Sequence, residues 1–122
     1  MCLRLNRFQI LKKRKAKKDI ICYKTVTRIY ADTFAPRFGY NPSFRYTLGT
    51  EANSIIVREG LNIENGLHSY KYFADVKFRQ HWRVHTIIRC VIPKGATFYK
   101  GISVTDVNYV SDRLIPVEVI ND

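Results

Sequence analysis

The sequence predicts an α+β domain: a small, mainly antiparallel sheet with one packed helix and a basic N-terminal helix or arm. Three observations carry that reading. Short runs rich in β-branched and aromatic residues recur between turn signals. One stretch after Ser69 has helical spacing. The first 18 residues hold eight basic side chains and no acid.

In the basic segment, residues 6–18 contain no Gly or Pro, Asn6 can cap a helix, and Leu, Lys, Arg and Ala dominate. A helix is expected there, with Leu5, Phe8 and Ile10 or Leu11 as a short apolar stripe. Its crowded like charges oppose it, so it is expected to order against a partner. Residues 20–30 (IICYKTVTRIY) read as the first core strand, and residues 32–42, with Pro36, Gly39 and Asn41-Pro42, as a long loop. Short strands are expected over 44–48, 54–58 and 66–69, separated by Gly49, Gly60 and Asn65-Gly66. Ser69 is a natural N-cap for a helix over residues 70–83, with Phe73, Val76 and Gln80 on one side and Phe78 and Trp82 as an i, i+4 pair. Residues 85–93 (HTIIRCVIP) are apolar on both faces, as a central strand requires. Lys94-Gly95 turns the chain into a strand over 96–99, and residues 113–120 close the sheet.

A chain of 122 residues, 46% of them hydrophobic, suits one domain with one modest core. The expected organisation is an arm over 1–18 and a single globular domain over 19–122. No run approaches the ~18 apolar residues that span a bilayer, and the N-terminus lacks the pattern of a signal peptide. Cys2, Cys22 and Cys90 are odd in number and have no paired spacing, which fits reduced thiols in a cytoplasm.

Charge divides unevenly along the chain. Arg4, Arg7, Lys12, Lys13, Arg14, Lys15, Lys17 and Lys18 make the arm strongly positive, whereas 13 basic and 10 acidic side chains share the remaining residues. Such an arm can neutralise several phosphates and release their counterions. A second group, Arg28, Tyr30, Phe34, Arg37, Phe38, Tyr40, Phe44, Arg45 and Tyr46, interleaves rings with guanidinium groups and contains only Asp32 as an acid. Bases stack on such rings while Arg holds the backbone; equally, the rings can cap a small core from a loop. The expected partner is RNA or a ribonucleoprotein, bound through the arm and through Arg28, Arg37, Tyr40 and Arg45. DNA and a nucleic-acid channel in a protein partner also fit these charges.

Catalytic signals are weak, and the protein is expected to act by binding, with no cofactor. His81 and His85 have the i, i+4 spacing that can place two imidazoles on one metal, but no third ligand stands nearby and residue 82 is Trp where a zinc protease has Glu; no metal is expected. His68 follows an Asn-Gly turn and reads as a structural histidine. Lys94-Gly95 and Lys100-Gly101 lack the pattern of a P-loop and read as turns.

Residues 19–24 (DIICYK), 66–70 (GLHSY), 92–101 (IPKGATFYKG) and 110–113 (VSDR) together resemble a loose family of small phage and prophage proteins, over most of residues 19–120. That resemblance implies a phage-encoded protein in the host cytoplasm, of a kind that often acts in counter-defence, including anti-CRISPR inhibitors that bind an RNA-guided nuclease. A fainter resemblance is to the ADP-ribosyltransferase fold, through residues 21–24, 66–69 with the following helix, and 87–95. It implies a nicotinamide dinucleotide pocket lined by Tyr23, His68 and Glu118. Cys22-Tyr23-Lys24 stands where that fold has an Arg or His, and no late Glu-x-Glu pair occurs, so the implied site has lost transfer chemistry.

Overall fold

Residues 20–28 alternate side chains between two faces and are rich in Ile, Val, Thr and Tyr, so they extend and seek partners on both edges. In the computed structural model, which describes residues 3–4, 13–36, 44–59, 62–79, 86–102 and 107–120, this segment lies at the middle of a large antiparallel sheet. The chain runs β1 (Leu3–Arg4), β2 (Arg14–Lys15), β3 (Ile20–Arg28), β4 (Thr33–Pro36), β5 (Tyr46–Thr47), β6 (Ala52–Asn53) and β7 (Val57–Glu59). It continues through β8 (Asn62–Asn65), β9 (Leu67–Tyr70), α1 (Phe73–Arg79), β10 (Thr86–Ile92), β11 (Thr97–Ile102), β12 (Val107–Ser111) and β13 (Arg113–Val119).

The main sheet has the order β2-β11-β12-β9-β3-β10-β13-β6, and a second sheet has the order β1-β8-β7. β3 pairs with β10 in unbroken register from Ile20↔Ile92 to Val26↔Thr86. On its other edge β3 meets β9 at Tyr23↔Tyr70 and β4 from Val26↔Pro36 to Arg28↔Phe34, so the sheet forks there. One face of the main sheet carries the principal core: Cys22, Val26, Ile88, Cys90, Ile92, Phe98, Tyr109 and Leu114, closed by Phe34 and Tyr46 from β4 and β5. The opposite face is covered in two places. Val76 and Phe73 of α1 pack on Tyr23, Tyr70 and Ile87, and Ile63 of β8 packs on Tyr99 and Val110. Burying each Ile or Val in these clusters contributes about 1.5–3 kcal/mol relative to exposure.

Two glycines allow tight geometry. Gly95, at φ +90°, makes the Pro93–Ala96 turn. Gly66, at φ +134°, also lies so close to β12 that a Cβ would fall 2.4 Å from Val110 Cγ1.

The structure corrects the expected α+β class, because the chain is nearly all antiparallel sheet and its described helix is short. Helix α1 covers Phe73–Arg79 of the expected 70–83 segment, starting three residues later than expected, and residues 80–83, with Gln80 and Trp82, lie outside the described residues. Its proposed cap, Ser69, is buried in β9, where Tyr70 pairs with Asn108, so sheet hydrogen bonds claim the backbone that the helix would have used. The expected basic helix over 6–18 is overturned where it is described: Arg14–Lys15 is a strand paired to β11, and Leu3–Arg4, just before it, pairs with β8. Like charges weaken a helix turn by turn, whereas pairing with β11 supplies backbone partners and spreads alternate charges to opposite faces. Part of the expected 32–42 loop is β4. Of the expected 85–93 strand, Thr86–Ile92 is β10, which lies between β3 and β13 and buries Ile87 on one face and Ile88, Cys90 and Ile92 on the other.

Candidate nucleic-acid interface

Five of the six residues from 13 to 18 are basic, and the sixth, Ala16, is the anchor. Ala16 is buried in the principal core, its N–H donates to the Ala96 carbonyl at 2.9 Å, and its carbonyl accepts from Gly95 N–H at 2.8 Å. With Lys15↔Thr97 and Arg14↔Phe98 in register, the segment forms the end of the main sheet, with Lys13, Lys15, Lys17 and Lys18 exposed. The acid that follows, Asp19, accepts from Lys94 N–H at 2.9 Å and so fixes the turn beside the segment. Arg14 points the other way, half-buried beside Lys100. Arg4 lies in β1, while Arg7 and Lys12 fall outside the described residues.

The arginine and aromatic segment does not stay together. Phe34 and Tyr46 are buried, and Phe44 packs edge-on against Tyr46 at 5.1 Å between ring centroids, which assigns these rings to the core. The Arg28 guanidinium lies 5.9 Å from the centroid of Phe34 and donates to the Ala31 carbonyl at 3.3 Å. Arg45 is exposed and donates to the Phe44 carbonyl at 2.8 Å, and Tyr30 is 71% exposed. Arg37, Phe38, Tyr40, His81 and His85 lie outside the described residues.

Tyr23, Arg89 and Glu118 form a row across β3, β10 and β13, with Tyr70 next in line on β9 and His68 two residues from it on the same strand. The Tyr23 ring packs against Phe73 at 5.9 Å, under α1, and the Glu118 carboxylate pairs with Arg89 at 2.6 Å. His68 is partly buried and burial pushes its pKa down to about 3, with the Lys24 charge acting in the same direction, so it is neutral at ordinary pH. Lys24 Nζ donates to the His68 carbonyl at 2.5 Å and lies 5.2 Å from the Tyr46 ring centroid; burial lowers its pKa to about 8. Cys22 and Cys90 face each other across β3 and β10. Burial raises Cys22 to about 11 and raises Cys90 as well, which suits packed thiols rather than nucleophiles. The Ser69 hydroxyl lies beside Cys22 and favours its thiolate without reaching good hydrogen-bond geometry.

A cavity of about 300 Å³ opens between the basic edge and the 54–56 connection, lined by Lys13, Ser54, Ile55, Ile56, Thr97, Tyr99 and Asp112. Asp112 accepts from Thr97 N–H at 2.9 Å, which ties two of the lining residues together. Among the described residues, no group of three or more His, Cys, Asp or Glu is placed to hold a metal, and no helix is long and apolar enough to cross a membrane. Lys71, which the sequence reading did not single out, shares the principal-core face with Lys100 and Arg14. It is a lone lysine in its segment, so no local signal marks it, whereas Lys100, read with Gly101 as a turn, lies instead within β11. No family model, curated protein or solved structure matches the chain.

Proposed function

We propose that the protein binds RNA, free or within a ribonucleoprotein, by laying the phosphate backbone along its basic sheet edge. The observation that carries this reading is the display of Lys13, Lys15, Lys17 and Lys18 from a backbone anchored by Ala16 and by pairing to β11. Anchored charges avoid most of the ordering cost that a free tail meets on binding. They also face no competing acid within the segment, and Asp19 is engaged with the Lys94 N–H. Each phosphate neutralised releases counterions, so affinity is expected to fall with salt; about five contacts to a single strand give a slope of log K against log salt near −3.5. Held on the RNA of a ribonucleoprotein, such an edge inhibits by occupancy, because it covers phosphates that the complex uses itself.

The test is binding of fluorescein-labelled single-stranded RNA across a salt series, measured by anisotropy, for the native chain and for Lys15→Glu/Lys17→Glu/Lys18→Glu. All three side chains are exposed, so the variant is expected to keep its melting temperature within a few degrees. Its affinity is expected to drop by more than about tenfold, with a flattened salt slope. Unchanged affinity and slope in a folded variant reject the reading.

A further inference from the structure

The main sheet also places three cations on its principal-core side. Arg14 lies opposite Phe98 on the neighbouring strand, and Lys100, two residues further along β11, shares its face. Lys100 in turn lies opposite Tyr109, Tyr109 lies opposite Ser69, and Lys71 follows Ser69 by two residues. The Lys71 N–H donates to the Val107 carbonyl at 2.9 Å, which extends the β9–β12 pairing to that residue and fixes its position. Arg14 and Lys100 are thus diagonal neighbours on adjacent strands, about 7–8 Å apart and within reach of long side chains, while Lys71 stands on the far side of β12 from Lys100. Burial and then the positive charges of Lys71 and Arg14 lower the pKa of Lys100, so the groups crowd each other's charge. The Arg14 Nε is buried, with no hydrogen-bond partner among the described residues. Beside this cluster Tyr72 is 49% exposed, with Lys71 Nζ 5.2 Å from its ring centroid.

We propose that Arg14, Lys71 and Lys100 form a phosphate cradle and that Tyr72 stacks the base attached to that phosphate, so the ligand is single-stranded RNA. The inference rests on the RNA-binding reading above and specifies its chemistry. An anion beside Lys100 relieves the repulsion that Lys100 meets from Arg14 and Lys71. A ring with an exposed face at the rim takes any base, whereas a duplex keeps its bases stacked internally and cannot use it.

The experiment compares a labelled single-stranded RNA 12-mer with a duplex of the same sequence, for the native chain, Lys71→Met/Lys100→Met, Lys71→Arg/Lys100→Arg and Tyr72→Ala. The Met pair is expected to lower single-strand affinity and to reduce the salt slope by roughly 1.4, the share of two phosphate contacts. The Arg pair is expected to retain affinity, since it keeps both charges. Tyr72→Ala is expected to lose roughly five- to hundredfold for the single strand and to leave the duplex unchanged. A Met pair that binds like the native chain, an Arg pair as weak as the Met pair, or a Tyr72→Ala variant that weakens both RNAs equally overturns the cradle. In each of those cases the Glu variants at Lys15, Lys17 and Lys18 still report on the edge by itself. A native chain that binds neither RNA rejects both readings.

Discussion

Lys15 on β2 and Lys24 on β3 belong to the same antiparallel sheet, with β11, β12 and β9 between them. At the edge, Lys15 is exposed and its strand has one neighbour among the described residues, so its ammonium stays hydrated and available to a partner. At the centre, Lys24 is drawn among Tyr46, Cys22 and Cys90, its ammonium donates to the His68 carbonyl, and burial brings its pKa down to about 8. Position in the sheet therefore decides what a lysine is for. An edge charge costs little to keep and also blocks unwanted strand addition; a central charge is a liability that the fold must satisfy with an acceptor and a ring.

The comparison breaks most easily on core packing. Ile88, fully buried on β10, is expected to lose about 2–5 kcal/mol of stability on truncation to Ala, whereas Lys15→Ala is expected to stay within about 0.5 kcal/mol. Chemical denaturation of both variants checks this, and a large loss at Lys15 would mean that the edge supports the fold and does not merely display charge.

Acid sharpens the contrast next. His68 has a folded pKa of about 3 against an ordinary 6.5, so between those values the unfolded chain binds more protons and stability falls as pH falls. The slope is expected to approach, at most, about 1.4 kcal/mol per pH unit. His68→Gln is expected to remove this contribution, as urea midpoints measured from pH 7 to pH 4 will show.

The smallest effect lies on the alkaline side. Lys24 has its folded pKa lowered from 10.5 to about 8, so the unfolded chain again holds the extra proton and stability rises with pH above about 8. Cys22 opposes that rise above about 9, because its raised folded pKa keeps a proton that the unfolded chain releases. The gain is thus confined to a window near pH 8–9, and Lys24→Met is expected to flatten it while leaving RNA binding at the edge unchanged.

Much of the sheet was legible because its signals are local. Residues 86–92 announce a central strand by being apolar on both faces, and Lys94-Gly95 announces its turn through the glycine that adopts φ +90°. Strand β12 was missed because VNYVS carries Asn and Ser among its apolar residues, and Val110 is buried only because Ile63 and Tyr99 meet it from other segments. The helix was started too early because Ser69 and the residues after it satisfy every local helix rule, and nothing local reveals that Tyr70 is claimed by Asn108. The basic arm is visible as charge, but at Arg14–Lys15 the expected helix is a strand, since good helix formers in isolation pair as a strand once β11 presents an open edge.

By itself the sequence determined where positive charge accumulates, which segments are apolar enough to be buried, and where glycine permits a turn. These properties belong to individual residues and their near neighbours. Tertiary structure alone decided that Arg14–Lys15 would be a strand, that Lys24 would be half-buried and Lys15 exposed, and that Arg14, Lys71 and Lys100 would share a face. Those outcomes depend on strand pairing between segments remote in the chain, and a β-strand, unlike a helix, finds its hydrogen-bond partners outside itself.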